Sequence, residues 1–478
     1  MSSQVLAVYD INDNCKKAWM LMMDLRLDDA KELINAEIKK NPENYYCYYL
    51  DQSCDAFSLI ITSGDADYTA FVADFDKRRK IMDGKDESSP YYLLCLAEME
   101  IQLTVFNVMH GSQMAGVNKG VAAYKDLYRN ISKFPQFKPN RKLDGFFNVA
   151  IANLPPFVKW ALTVMSVKVD INYGFKTLFD YYQSQKAVPG INAEAALYVI
   201  LAAKINKTPE MLYDFSRTLD TSISNTFIHQ YFRANIAYWS GKNDEAIRTL
   251  RQTDYKGNRY ASILYNYMMG KLMLRKLDPS AETYFSAYFS LTQKKEYFKE
   301  MNYNMALYWL LKGETAKYSK YCSVVRTQGL DLNERDREAL YDASLDYAPD
   351  VNLVKARLSL DGGYMEPYKK FLAAFEAGHA RVPAYETEYH LLKGRYAALT
   401  GNDNLAMAEF RKVIELGQDQ DYYFASEAAY RLGDLSRKAG QTSLARDYYK
   451  KSIKLYKKNY YEYIQDKANK GLNALPAS

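Results

Sequence analysis

The chain has 478 residues, of which 48% are hydrophobic and 25% charged, an ordinary composition for a globular protein that can build a large core. Its 13 prolines and 22 glycines are too few to punctuate many short strands. The net charge of +6 is local, since residues 431–470 carry eleven Lys and Arg against four Asp and Glu. We interpret this basic end as the solvated face of a terminal helix and expect no nucleic-acid partner.

The N-terminal sequence, MSSQVLAVYDINDN, has neither the basic region nor the long apolar segment of a signal peptide. Cys15 follows it without the small apolar neighbours of a lipoprotein cleavage site. The first helix is expected almost at once. A bacterial periplasmic or cell-envelope location is preferred if an export signal has been removed from the chain, and a cytoplasmic location is the alternative.

Helical-hairpin repeats are predicted from a recurring pattern of small residues. In this pattern a small residue in one helix is followed twelve residues later by alanine in the next, and then by a bulky residue after four more, because two helices cross closely there. Four segments match: Ala18, Ala30, Ile34 and then Pro42; Ala234, Ala246 and Leu250; Gly394, Ala406 and Phe410; Gly433, Ala445 and Tyr449. Glycine turns are expected within the last two, at Gly401 and Gly440.

The intervening segments keep apolar residues at three- and four-residue intervals, and no run alternates as a strand would. The sequence therefore predicts an all-α protein built from tetratricopeptide-like helical hairpins, which stack into a right-handed superhelix, or α-solenoid. We divide it into N-terminal repeats at 1–135, central repeats at 136–330, and C-terminal repeats with a capping helix at 331–478, all within one continuous solenoid.

Residues 143–165, LDGFFNVAIANLPPFVKWALTVM, contain two apolar arms joined by a double proline. Each arm is about ten residues long, half of the roughly 20 residues that a membrane-spanning helix needs. Pro155 disfavours a helical Leu154, and Pro156 suits the first turn of a new helix. We therefore predict a buried helix corner and no transmembrane segment.

This corner resembles the Gly-x-Phe-Asn…Leu-Pro-Pro core of a eukaryotic tetratricopeptide-repeat family that includes the fungal inclusion-body clearance protein and its animal relatives. The matching positions are Gly145, Phe147, Asn148, Leu154, Pro155, Pro156, Gly174 and Leu178. The last repeats are also similar, so the resemblance spans roughly residues 90–475. It implies a distant bacterial member of the family that acts as an adaptor and carries no catalytic residues.

Few residues suggest chemistry. The sequence has four histidines and five cysteines, without an HExxH, CxxC or Walker motif. Cys47 and Cys54 are seven residues apart, too far for a disulfide along one helix, and are expected to be small buried hydrophobic residues. The acidic pairs Glu98/Glu100 and Glu334/Asp336 are expected on solvated helix faces. We predict that the protein is not an enzyme and uses no cofactor or metal.

Binding is the better hypothesis, because stacked hairpins present the inner face of each first helix. In the two C-terminal repeats this face is predicted to include five candidate partner-binding residues: Glu388, Arg395, Tyr430, Asp434 and Arg437. The predicted function is a non-catalytic scaffold or adaptor that binds a protein or peptide on the concave face.

The alternative is an envelope-associated protein that binds a glycan through exposed tyrosines, of which the chain has 44. Tyrosine also packs well between helices, and the even spread of these residues along the chain favours packing.

Overall fold

The computed structural model of the protein describes residues 8–62, 64–154, 169–206, 208–219, 225–331, 333–378, 382–456 and 461–476. Its regular structure over those ranges consists of helices, with no strand. The predicted all-α class and the helical-hairpin repeats are confirmed. Two compact units are present: Met1–Ser240, Asp244–Met268 and Tyr288–Gln293 form the first, and Gly241–Asn243, Met269–Ala287 and Lys294–Ser478 form the second. The division into three segments stays a prediction.

The helices are numbered in chain order. The earlier ones are α1 Asp13–Met23, α2 Leu27–Lys40, α3 Tyr46–Thr62, α4 Asp65–Met82, α5 Pro90–Met109, α6 Gln113–Lys133, α7 Asn140–Ala152, α8 Ile171–Gln185, α9 Ile191–Ile205, α10 Pro209–Arg217, α11 Phe227–Trp239 and α12 Asn243–Arg251. The later ones are α13 Arg259–Arg275, α14 Ala281–Leu291, α15 Phe298–Leu311, α16 Thr315–Thr327, α17 Glu334–Ala343, α18 Val351–Gly362, α19 Met365–Gly378, α20 Pro383–Leu399, α21 Asp403–Gly417, α22 Phe424–Lys438, α23 Thr442–Leu455 and α24 Glu462–Asn473.

Small residues allow the helices of each C-terminal hairpin to approach closely, as the sequence predicts. A Cβ atom on Gly394 would lie 2.6 Å from the ring of Phe410, and one on Gly433 would lie 2.5 Å from the ring of Tyr449. The turns between these helices use Gly401 at φ +79° and Gly440 at φ +73°, a backbone conformation that glycine adopts without strain. The repeat pattern thus marks real helix crossings.

The second unit arranges its helices as a row of hairpins. The first helices α15, α18, α20, α22 and α24 each contact the next in the series, and α16, α19, α21 and α23 each contact the first helix of their own hairpin. The short helix α17 lies against α15 and α16. Side chains on the row of first helices are therefore neighbours even where the sequence separates them by thirty residues or more.

In the first unit, the two glycines of the predicted family core lie at the crossing of α7 and α8. A Cβ on Gly145 would lie 2.8 Å from the carbonyl oxygen of Gly174, and a Cβ on Gly174 would lie 2.8 Å from that of Gly145. Helix α7 ends at Ala152, but Pro155 and Pro156 of the predicted corner lie outside the described residues. The glycines of the motif serve backbone-to-backbone packing.

One helix among the described residues, α5, is long and apolar enough to cross a membrane by length and composition. It has 20 residues, and two-thirds of its most apolar window is buried inside the protein. A buried core helix passes the same test. The expectation that Glu98 and Glu100 of this helix lie on a solvated face is wrong, because they are only 2% and 4% exposed.

Candidate functional site

A small cavity lies inside the second unit, among the loops and helices around α15, α17, α18, α20 and α22. Its volume is about 20 Å³, room for about one water molecule. Three charged side chains reach it, Asp342 from α17, Arg357 from α18 and Glu388 from α20. The rest of the wall is mostly aromatic: Tyr303, Tyr341, Tyr347, Tyr422, Tyr423 and Phe424. Charge and aromatic surface therefore meet at one place in this unit.

Glu388, one of the predicted partner-binding residues, is nearly buried at this cavity. Its Oε1 atom lies 3.3 Å from Nη1 of Arg357. Within the described residues, however, that oxygen accepts no well-formed hydrogen bond. Burial raises the pKa of Glu388, and the Arg357 guanidinium opposes that rise. A buried carboxylate oxygen with spare hydrogen-bonding capacity is costly unless water or a ligand donates to it.

Asp342 lies at the same cavity and is held by Tyr461, whose hydroxyl donates to Oδ1 at 2.8 Å. Burial raises the pKa of Asp342 to about 6, although Arg357 and the Tyr461 hydroxyl lower it. The Tyr461 ring stacks on Tyr423 with 3.8 Å between centroids. The acidic side of the cavity is thus fixed in place by aromatic packing.

Arg395, the second predicted residue on α20, is paired within the protein. Its Nη2 atom donates to Oδ1 of Asp361 on α18, the neighbouring helix in the row of first helices. On α22, Glu427 accepts from Arg431, four residues further along the same helix, with 2.6 Å between Oε1 and Nη2. Burial raises the pKa of Glu427, but the opposing effect of Arg431 and Arg395 is larger. The net shift of this pKa is therefore downward. Acidic and basic groups alternate across the first helices.

The three predicted residues on α22 lie together around Tyr449 of α23. The Tyr449 hydroxyl donates to Oδ1 of Asp434 at 2.6 Å and accepts from Nε of Arg437 at 3.3 Å. The rings of Tyr430 and Tyr449 lie 6.4 Å apart. Arg437 has 52% of its side chain exposed and Asp434 has 37%, so both are available at the surface.

The structure adds three residues that the sequence did not single out, namely Asp342, Arg357 and Asp361. Helix α18 matches the repeat pattern poorly, so the pattern does not predict which of its residues lie on the inner face. The spacing of Arg357 and Asp361 could have found them, because residues four apart share one face of a helix. The five predicted residues themselves stay candidates for partner contact.

The tyrosines serve mainly as packing residues where the structure describes their contacts. Five of the largest fully buried side chains are tyrosines: Tyr49, Tyr181, Tyr182, Tyr368 and Tyr449. Others meet edge to face, as Tyr347 does with Tyr422 at 5.4 Å between centroids. The glycan-binding alternative receives no support from these contacts.

The described ranges contain no group of three or more His, Cys, Asp and Glu side chains placed to hold a metal ion.

Comparison with known proteins identifies no family. No family model matches the chain, and neither does any curated protein. Two solved structures illustrate the distant likenesses. A chain of the APC/C hetero-tetramer Cut9–Hcn1 is 11% identical, with 97% of this chain and 91% of that chain covered and a TM-score of 0.24. A circular tandem repeat protein is 10% identical, with 96% and 95% covered and a TM-score of 0.14. At these scores neither structure carries an argument about this chain.

Proposed function

We propose that the protein is a non-catalytic scaffold that binds a partner protein or peptide along the first helices of its second unit. The observation that carries this proposal is the incompletely satisfied Glu388 carboxylate, which lies beside Arg357 at an aromatic cavity on that row. Binding sites commonly combine aromatic surface with a few polar groups that still have hydrogen-bonding capacity.

The charge pattern along the row favours a peptide with both acidic and basic side chains. Arg395 and Asp361 have 19% and 25% of their side chains exposed, and Arg437 and Asp434 are more open still. Partly exposed ion pairs can exchange one partner for a ligand group at little cost, because each is worth little in water. Matching charges on a partner would fix its register on the surface.

The family resemblance at Gly145, Phe147 and Asn148 supports the same proposal, since it implies an adaptor. We propose on these residues that the chain is a distant bacterial member of that tetratricopeptide-repeat family. The resemblance transfers no catalytic residue, which agrees with a scaffold that holds proteins together.

The test is an affinity capture of the tagged protein from its own cells after crosslinking, with soluble and envelope fractions analysed separately. Mass spectrometry then identifies the partner and the crosslinked residues. We expect one stoichiometric protein partner, with crosslinks on α20, α22 and α24. With the partner purified, R437E is expected to weaken binding about tenfold, or 1.4 kcal/mol.

The matched control is K412E. Lys412 lies on α21, the second helix of its hairpin, is exposed and pairs with Glu415 of the same helix. Equal weakening by R437E and K412E would place the interaction outside the first helices. Recovery of no protein partner in either fraction would overturn the scaffold proposal.

A further inference from the structure

Two buried thiols of the first unit are in contact, although 32 residues separate them in sequence. Cys15 is on α1 and Cys47 is on the first turn of α3, and their sulfur atoms are 3.8 Å apart. Each residue is only 1% exposed. Nothing in the sequence indicates that the two residues are paired, because the contact arises only when α1 and α3 pack side by side.

The segment before α1 covers this pair. The Cys15 thiol donates to the carbonyl oxygen of Asp10 at 3.4 Å. Two hydrogen bonds from Asn44 hold the backbone of Asp10 in place. The Asn44 Oδ1 accepts from the Asp10 amide at 3.0 Å, and the Asn44 Nδ2 donates to the Asp10 carbonyl at 2.9 Å. The hydrogen bond with Cys15, together with burial, raises the pKa of Cys47, so the Cys47 thiol stays protonated while the segment is closed.

We propose that Cys15 and Cys47 form an intramolecular disulfide when the protein meets a disulfide oxidant, after the segment around Asp10 opens. Sulfur atoms 3.8 Å apart are already in van der Waals contact, and small side-chain rotations bring them toward the bonding distance of about 2.05 Å. Helices α1 and α3 would then be linked by a redox-sensitive disulfide.

The reaction with oxidised glutathione balances as two exchange steps. One cysteine loses its proton and attacks the oxidant, whose sulfur–sulfur bond breaks to give a mixed disulfide and one glutathione thiolate. The second cysteine loses its proton and attacks the protein sulfur of that mixed disulfide, which releases the second glutathione thiolate. The two released thiolates take up the two protons, and the oxidant gains the two electrons that the cysteines lose.

This disulfide would close a loop that contains all of α2, and so link the first hairpin covalently to α3. Constraining a loop of this length in the unfolded chain raises the melting temperature of the first unit, on the order of 10 °C. The disulfide would persist in an oxidising compartment, whereas the two thiols would stay reduced in the cytosol. The redox state of the pair in cells would therefore also indicate where the protein resides.

The experiment incubates the full-length protein with oxidised glutathione below its melting temperature, quenches it with N-ethylmaleimide in acid, and maps linked peptides by mass spectrometry. We expect a Cys15–Cys47 peptide pair and, in a sample taken before alkylation, an intact mass lower by about 2 Da than that of the reduced protein. C15A and C47A should each abolish the link. The matched control C54A, which removes another buried thiol of α3, should leave it intact.

A further variant, N44A, tests the role of the covering segment. Faster disulfide formation in N44A is expected, with Cys95 still protected from alkylation as evidence that the unit remains folded. The proposal is overturned if the two thiols of the wild-type protein stay free throughout, if the link joins other cysteines, or if only intermolecular disulfides form.

Discussion

Each unit buries a cluster of charged side chains, and the second cluster differs from the first in that its arginine is more exposed and lies beside a cavity. In the first unit, Lys142 Nζ lies 2.7 Å from Glu98 Oε1 and 2.5 Å from Glu194 Oε1, and none of the three side chains is more than 5% exposed. In the second unit, the Arg357 side chain is 18% exposed and lies 3.3 Å from Glu388 beside a cavity.

This difference underlies our proposal that the second cluster, unlike the first, contacts a partner. The Lys142 cluster joins α5, α7 and α9, and the Tyr49 hydroxyl of α3 lies within hydrogen-bonding distance of both of its carboxylates. Glu98 Oε1 in this cluster also accepts no well-formed hydrogen bond within the described residues. The Arg357 cluster likewise leaves Glu388 Oε1 without a hydrogen bond within the described residues, but its arginine is more exposed and the cluster borders a cavity. A buried charged group is a better site candidate when water or a ligand can reach it.

Removing the lysine is the strongest way to break this comparison. K142M leaves Glu98 and Glu194 facing each other in a buried site, and we expect the unfolding free energy of the first unit to fall by about 4 kcal/mol. Hydrogen exchange of α5 and α9 peptides in the full-length protein measures it. K176A breaks an exposed ion pair with Asp180 on α8. It should change the unfolding free energy measured by exchange by less than about 0.5 kcal/mol.

The pH dependence of the first unit is the next largest effect. Burial raises the pKa of Glu98 from 4.5 to about 7, so the folded unit holds a proton that the unfolded chain releases. The resulting stabilisation is complete below pH 4.5 and is lost as the pH rises through 7, a change of about 3 kcal/mol. The difference between the wild type and E98Q isolates it. A difference independent of pH between 5 and 8 would exclude Glu98 as the titrating group.

Removing the arginine sharpens the comparison from the other side. R357M removes the cation beside Glu388 and leaves Asp342 with the Tyr461 hydroxyl, but both carboxyl groups border a cavity that can admit water, and burial already favours their protonated forms. We expect a loss of about 2 kcal/mol, half that of K142M. Hydrogen exchange of α18 and α20 peptides reports it. A loss as large as that of K142M would mean that the cluster is structural.

The smallest effect is expected for E388Q. Glutamine keeps the shape of the side chain and, like the protonated carboxyl, carries no charge. The stability of the second unit should change by less than about 1 kcal/mol. Partner binding should nevertheless weaken in this variant, measured with the partner found by crosslinking. Unchanged binding would remove Glu388 from the proposed contact surface.

The sequence predicted the local part of this fold well. Gly394 and Gly433 marked helix crossings because a small residue, an alanine and a bulky residue recur at fixed spacing along one chain segment. Gly401 and Gly440 marked turns because positive φ strongly favours glycine. These signals lie within some twenty residues of one another, so periodicity alone could find them.

The parts that the sequence missed depend on contacts between distant segments. Asp336 was expected on a solvated face, yet it is fully buried and its Oδ1 accepts from the backbone amide of Glu300 at 3.0 Å. Nothing near either residue in sequence indicates this contact. Arg357 is a similar case, because its value as a site residue arises from Glu388 on a neighbouring hairpin.

The glycine contact between α7 and α8 has a mechanical consequence. Side chains between helices can change rotamer and absorb a displacement, but Gly145 and Gly174 place backbone directly against backbone. The two helices therefore move as one stiff element. Tyr173 on α8 is 49% exposed, and its hydroxyl donates to Oδ2 of Asp144 on α7 at 2.7 Å, two residues from the buried Lys142. A force that displaces α8 would therefore displace α7 as well, because no side-chain rotamer change at the crossing can absorb it.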